Sequence, residues 1–264
     1  MIGFIGCGNM ANAMINGMLK NNIKSDDIFV YDTDKSKLEI MSKNGINICK
    51  SSHDVFKKSK YIFLAIKPNV YSDVLNDVKG VIEDGSVIIS MAAGFKIDSI
   101  KQIIGSKKVV RIMPNTPALV GEGFTAVCFD NLIDEKEKNT VMSLLKSFSC
   151  VVETKENYIN AYSAISGSGP AFAFIFIEAM ADAAVLLGIP REEAYKAAQQ
   201  TLLGSSKLAM LSQKHPGELK DMVCSPGGTT IEGVRTLEEK GFRSAVIECI
   251  VNTYKKNLDI NSIR

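Results

Sequence analysis

Two glycine turns near opposite ends of this sequence hold the residues best suited to binding anions. The later one reads His215-Pro-Gly-Glu-Leu-Lys-Asp-Met-Val-Cys-Ser225-Pro-Gly-Gly-Thr-Thr230-Ile. Pro226, Gly227 and Gly228 allow a tight bend that exposes backbone N–H groups, while Ser225, Thr229 and Thr230 bring hydroxyls to the same place. The residues that follow, Ile231 to Lys240, suit a helix. Thr229 and Thr230 would then sit at its N-terminus, where orphan amides and the helix dipole favour an anion. The combination suits a small carboxylate, although taken alone it also reads as a helix cap behind a proline turn. The earlier turn, Ile2-Gly-Phe-Ile-Gly6-Cys-Gly8-Asn-Met-Ala11, is G-x-G-x-x-A between a strand and a helix. Gly6 permits the tight turn, Gly8 lets the backbone approach a pyrophosphate, and Ala11 keeps helix and strand close. Cys7 lies within the turn, and Asn9 and Met10 present the first free amides of the helix to the phosphates.

A dinucleotide held there would lie beyond the carboxyl ends of the strands. The second strand ends in Tyr31-Asp32-Thr33-Asp34-Lys35, where Asp32 would accept hydrogen bonds from the adenosine ribose and so points to NADH. Thr33, Lys35, Ser36 and Lys37 would hold a 2′-phosphate if Asp32 turned away, which keeps NADPH open. Asp32 also reads as a turn residue opening the next helix. Ala65-Ile66-Lys67-Pro68 closes another strand, and Met91-Ala92-Ala93-Gly94 follows the next. Their small residues would admit the nicotinamide and its ribose, and ordinary loop packing is the other reading. Asn115 and Thr116, in a loop fixed by Pro114 and Pro117, are candidates to position the ring.

The elements that must position these groups alternate through the first 150 or so residues, short apolar runs with helical patterns, as in a parallel sheet covered on both faces. Strands are expected at Ile2–Ile5, Ile28–Tyr31, Tyr61–Ala65, Val87–Ser90, Lys108–Ile112, Thr125–Cys128 and Cys150–Glu153. Helices are expected at Asn9–Lys20, Lys35–Lys43, Tyr71–Val78, Ile97–Ile104 and Asp134–Phe148. After about Lys155 strand signals stop. The fold class is α/β: residues 1–155 a doubly wound parallel sheet of the Rossmann type, residues 156–264 an all-α domain.

Pro170 to Leu187 is apolar except for Glu178 and Asp182, which lie four apart on one helix face. Such a helix must be buried on most sides, and a domain of roughly a hundred residues has little interior in which to hide it, so burial against a second subunit is expected. Two acids and no basic flanks argue against a membrane span. The 264 residues are 46% hydrophobic with a formal charge of +2, and the charges are dispersed, so nucleic acid is not an expected partner. No targeting segment precedes the first strand, which suggests a cytoplasmic protein. The six cysteines show no paired spacing and His53 and His215 are the only histidines, so neither a disulfide framework, a metal site nor a histidine-based triad is expected.

Four blocks in order, Gly6-Cys-Gly-Asn-Met-Ala11, Ala65-Ile-Lys-Pro68, Ser166-Gly-Ser-Gly-Pro-Ala171 and His215 to Ile231 with Leu237-Glu-Glu-Lys-Gly-Phe-Arg243 behind it, resemble the pyrroline-5-carboxylate reductase family. The resemblance implies hydride transfer from a reduced nicotinamide to a cyclic imine, giving L-proline as the last step of its biosynthesis. It also implies a helical dimerisation domain, a substrate pocket built between the domains and often across two subunits, and dimers that sometimes assemble into decamers. On that pattern Ser225 and the turn from Gly227 and Gly228 to Thr230 hold the carboxylate, and the Thr230 hydroxyl serves the imine nitrogen. The family frequently uses NADPH, whereas Asp32 leans towards NADH.

Two other readings stay in view. A β-hydroxyacid dehydrogenase or related imine reductase shares the domain order, but the former's catalytic lysine has no counterpart in Pro170-Ala-Phe-Ala-Phe-Ile. A regulator that senses NAD(P) without turnover would keep Gly6, Gly8 and Ala11 and have no use for the later turn.

Overall fold

The chain opens with β1 (Ile2–Ile5), which runs into α1 (Asn9–Lys20), and returns as β2 (Ile28–Tyr31), α2 (Lys35–Lys43) and a two-residue β3 (Asn47–Ile48). After α3 (Ser52–Lys58) the chain crosses back to β4 (Tyr61–Leu64) on the other side of β1. It continues through α4 (Tyr71–Val78), β5 (Val87–Ser90), α5 (Ile97–Ile104) and β6 (Lys108–Met113), then β7 (Gly123–Phe129), α6 (Glu135–Lys146) and β8 (Ser149–Glu153). The structure is a computed structural model and describes the backbone of residues 1–262 and the side chains of residues 1–259.

The sheet order is β3-β2-β1-β4-β5-β6-β7-β8. Chain direction across the sheet reverses between β1 and β4, which makes the carboxyl ends of these two strands the switch point where α/β sheets bind ligands. All seven expected strands are present, within a few residues at their ends. Two features differ. The short edge strand β3 was not expected from the sequence, since two residues leave no periodicity to read. The sheet is also not wholly parallel, for β7 pairs with β6 antiparallel. Only a short 3₁₀ segment (Thr116–Val120) joins them, and a parallel return needs a crossover of a dozen residues or more.

Helices cover both faces of the sheet. On one face Met14, Ile15 and Met18 of α1, Met41 of α2, and Val141, Leu144 and Leu145 of α6 pack on Phe4, Val30 and Phe63. On the other face Val55 and Phe56 of α3, Tyr71, Leu75 and Val78 of α4, and Ile97, Ile100 and Ile104 of α5 pack on Ile62, Ile88 and Val109. Each helix presents a stripe at three- and four-residue spacing, as an amphipathic helix on a sheet must. Continuous burial of β1, β4 and β5 explains why those strands read as unbroken apolar runs.

Beyond β8 the chain is helical: α7 (Ile159–Tyr162), a π-helical turn at Ser163–Gly167, α8 (Gly169–Leu186), α9 (Arg191–Ser212), α10 (Pro216–Val223), α11 (Thr229–Glu239) and α12 (Phe242–Ser262). The chain forms two compact units, Met1–Ser168 with the segment from Thr253 onward, and Gly169–Asn252. In the second unit α8 and α9 pack around Ala181, Ala194 and Ala198, a core of small residues. Large apolar side chains of the same unit, among them Phe174, Ile175, Leu186, Leu187 and Met210, are exposed on the single chain.

Candidate active site

In the first unit, Gly6 holds φ at +95°, and a Cβ there would meet the Ala65 carbonyl oxygen at 2.5 Å, so no other residue fits without moving backbone. Gly8 differs: a Cβ built on it meets nothing within 4 Å. The protein leaves the space beside Gly8 open, as a pyrophosphate resting on the backbone requires. Gly8 is also the N-cap of α1 and gives it no side-chain cap, so the first amides of the helix, from Asn9 and Met10 onward, face that space without an internal acceptor. Ala11 is fully buried and brings α1 against the sheet. The residues present therefore fit a dinucleotide.

Three residues expected to touch the dinucleotide are engaged within the chain. The Cys7 N–H donates to Asp32 Oδ2 at 2.7 Å and is not offered to a phosphate. Its thiol is buried, which with the Asp32 charge pushes its pKa up to about 12 and keeps it neutral. Asp32 accepts that bond with one oxygen and the Asp34 N–H at 2.8 Å with the other, so the carboxylate is turned beneath the glycine turn to brace it. Asn115 accepts the Phe124 N–H at 2.8 Å and donates to the Ser166 carbonyl at 3.0 Å, so both ends of its amide tie β6 to β7 and to the π-helical turn and are not directed at a ring. Sequence types alone do not distinguish a ligand-facing amide from one that bridges two backbone segments.

The other expected positions lie along the same carboxyl edge. Thr33, Lys35, Lys67, Ala93 and Thr116 are exposed; Ala65, Ile66, Pro68 and Gly94 are half-buried, and Ala92 is buried. Gly94, at φ +90°, turns the loop after β5 into α5.

One supporting pair carried no recognisable sequence signal. Arg111 of β6 is 2% exposed and donates to Glu156 Oε1 at 3.1 Å. The same oxygen accepts the Ile97 N–H at 2.7 Å, capping α5 from 59 residues away where Lys96 gives no side-chain cap. A single carboxylate oxygen thus joins the end of the loop after β5 to the strand that leads into Pro114 and Asn115. Tyr71 lies against Phe95 with ring centroids 4.7 Å apart, beneath the same loop, and burial raises the pKa of its phenol so that it stays protonated.

In the second unit, Ser225-Pro226-Gly227-Gly228 forms a turn closed by a Gly228 N–H to Ser225 carbonyl bond of 3.0 Å, with Gly227 at φ +68°. Proline followed by a positive-φ glycine at the centre of a turn is the type II pattern. A Cβ on Gly228 would lie 2.3 Å from Ser225 Oγ, so glycine there seats the hydroxyl over the turn. Gly228 is the N-cap of α11 and again supplies no side chain to the helix end. Thr229 and Thr230 are the first residues of α11, with their amides uncapped by any side chain and both residues exposed. His215 caps α10 by accepting the Gly217 N–H at 3.0 Å, which gives that histidine a structural task.

A doubly wound sheet with an open glycine turn at its switch point, followed by a helical unit with a second uncapped helix end, defines a protein of the dinucleotide-binding class. Residues 156–260 match the family model for pyrroline-5-carboxylate reductase dimerisation, and residues 1–94 match that for NADP oxidoreductase, coenzyme F420-dependent. The chain is 43% identical to pyrroline-5-carboxylate reductase of Escherichia coli over 97% of this chain and 96% of that protein. It is 34% identical to the enzyme of the same name from Pisum sativum, over 98% and 96%. Among solved structures, the pyrroline carboxylate reductase of Plasmodium falciparum with NADP bound matches with a TM-score of 0.89 at 32% identity, covering 98% of this chain and 97% of that one. The chain belongs to the pyrroline-5-carboxylate reductase family.

Proposed function

We propose that the protein reduces 1-pyrroline-5-carboxylate to L-proline with NADPH or NADH, the last step of proline biosynthesis. Family membership over nearly the whole chain carries this reading, and the two uncapped helix N-termini give it a physical basis. The reduced nicotinamide, when bound, supplies the hydride. Everything else falls to the residues of the chain. Gly6, Gly8, Asn9, Met10 and Ala11 shape and line the pyrophosphate cradle, while Ala65 to Pro68, Ala92 to Gly94 and Thr116 border the nicotinamide half, Ile66 also facing the cavity at the end of β2. Ser225, Gly227, Gly228 and Thr229 receive the substrate carboxylate on uncapped amides and hydroxyls.

Thr230 is the proposed catalytic residue. A cyclic imine becomes strongly electrophilic once its nitrogen is hydrogen-bonded or protonated, so one positioned hydroxyl suffices and no strong acid is required. A β-hydroxyacid dehydrogenase, in contrast, needs a base to take the alcohol proton, and the segment Pro170–Ile175 offers none.

Residues 156–264 form the proposed dimerisation and substrate domain behind a dinucleotide domain of residues 1–155. The proposed assembly is a homodimer, which associates further into a homodecamer on the pattern the resemblance implies. The proposed setting is the cytoplasm, where six cysteines of unpaired spacing stay reduced. Mixing the protein with pyrroline-5-carboxylate and either NADH or NADPH should give loss of reduced-nicotinamide absorbance and formation of proline. No oxidation with either cofactor overturns the assignment.

A further inference from the structure

The cavity at the carboxyl ends of β1, β2 and β4, about 380 Å³ in volume, is lined by Gly6, Asp32, Thr33, Ile66, Asp73 and Asp77 among others. Its place beside Gly6 and the end of β2 makes it the seat of the adenosine half of a dinucleotide, an inference that rests on the dinucleotide reading above. Its wall is acidic. Three carboxylates line it, one from the end of β2 and two from α4, and no lysine or arginine does.

Of the two lysines that follow β2, Lys35 is exposed and Lys37 is already engaged. Lys37 Nζ lies 3.8 Å from Asp32 Oδ2 and 3.6 Å from Asp34 Oδ2, one ammonium shared by two carboxylates. Asp34 is fixed in place, for its Oδ1 accepts the Ser36 N–H at 3.0 Å and the Ser36 hydroxyl at 2.7 Å. Those bonds hold its carboxyl below the usual carboxylate range, so it is ionised at neutral pH. On the opposite wall His53 is held by Asp77, its Nε2 3.2 Å from Asp77 Oδ2, which also accepts the Ser52 hydroxyl at 3.1 Å.

We propose that this pocket selects NADH over NADPH, with Asp34 and Asp73 as specificity-determining residues. A ribose 2′-phosphate brings about 1.5 to 2 further negative charges. It would enter between a β2 end where Lys37 is shared by Asp32 and Asp34 and Lys35 is exposed outside the cavity lining, and an α4 wall carrying Asp73 and Asp77. A free 2′-hydroxyl meets no such repulsion and has acceptors on both sides. Asp32 contributes charge, and each of its oxygens, already accepting one backbone N–H from Cys7 or Asp34, keeps a lone pair for a ribose hydroxyl.

Calorimetric titration of the full chain with NADH and NADPH, and with adenosine 5′-monophosphate and adenosine 2′,5′-bisphosphate, tests this without turnover. Wild type should bind the forms lacking the 2′-phosphate about tenfold more tightly or better, as expected if repulsion costs at least ~1.4 kcal/mol. Asp34→Asn, which keeps the cap on α2, and Asp73→Asn should each narrow the gap several-fold, with unchanged circular dichroism showing that the fold is intact. Raising ionic strength should also narrow it, because salt screens repulsion between exposed charges. Tighter wild-type binding of the 2′-phosphorylated forms, a ratio unmoved by both substitutions, or a gap that widens with salt overturns the proposal. Binding with this selectivity but no imine reduction would instead remove only the assigned activity.

Discussion

At the scale of single residues, the two glycines of the first turn have separable tasks. Gly6 answers to the protein: its positive φ and the Ala65 carbonyl 2.5 Å from a notional Cβ mean that Gly6→Ala must distort backbone. A loss of roughly 2–4 kcal/mol of unfolding free energy is expected, measurable by urea titration. Gly8 answers to the ligand, since among the described residues no group beyond its own neighbours lies within 4 Å of its notional Cβ. Gly8→Ala should leave the urea midpoint within experimental scatter and raise the KM for the dinucleotide about tenfold, because the methyl occupies the pyrophosphate's place. A Gly8→Ala protein that lost stability and kept its KM would put the cradle elsewhere. In the second turn, Thr230→Ala should lower kcat/KM by about 10- to 1000-fold, and Thr230→Ser should recover most of it. Unchanged kinetics in Thr230→Ala would remove that hydroxyl from the chemistry.

Elements matter because loops at the sheet edge have no stiffness of their own. The loop after β5 is held by Glu156, whose Oε1 takes both the Ile97 N–H and the Arg111 guanidinium. Arg111 is buried, its Nε and Nη2 have no partner among the described residues, and its ion pair is with Glu156. Glu156→Ala should therefore cost about 2–4 kcal/mol of stability, discounted from a fully buried pair because the Glu156 side chain is 26% exposed. Replacing Arg111 by Met in the same chain should return part of that loss, a coupling of about 1–3 kcal/mol in a double-mutant cycle. Simple additivity would show that the pair does not act as a unit. This pair also marks where sequence reading stops. The strands on both sides of the switch point, and helices such as α1, α2, α4 and α5, were legible because each announces itself by local periodicity and by a turn residue at its end. The helix starting at Thr229 was legible for the same reason. Glu156, the amide of Asn115 and the inward turn of Asp32 were not, since their roles are set by partners 59, 51 and 25 residues away. Local pattern carries no information about such pairings, whereas the antiparallel entry of β7 follows from a short connection that counting could have exposed.

At the scale of the molecule, the second unit is unfinished as a single chain. Its core consists of Ala181, Ala194 and Ala198, yet Leu186 and Leu187 are 88% and 84% exposed and Phe174 and Ile175 more than 60%. The stretch ending at Leu186 is long and apolar enough to cross a membrane, and only 6% of it is buried within the chain. Apolar surface of this extent marks an interaction site, and the match of residues 156–260 to a dimerisation family supports self-association there. Association through such a face is expected to add to the stability of the second unit. Light scattering at micromolar concentration should give at least twice the chain mass, and the thermal midpoint should rise with protein concentration. Ile175→Asp, a charge in the apolar groove that Ile175 forms with Phe172, Phe176, Phe242 and Val246, should shift the scattering mass towards one chain and lower the midpoint. The sheet of the first unit has two complete cores of its own, so the same substitution should leave dinucleotide binding nearly intact while reduction of the imine is lost. A monomeric wild type, or an Ile175→Asp protein of unchanged mass, would show that the exposed face of α8 serves some other purpose.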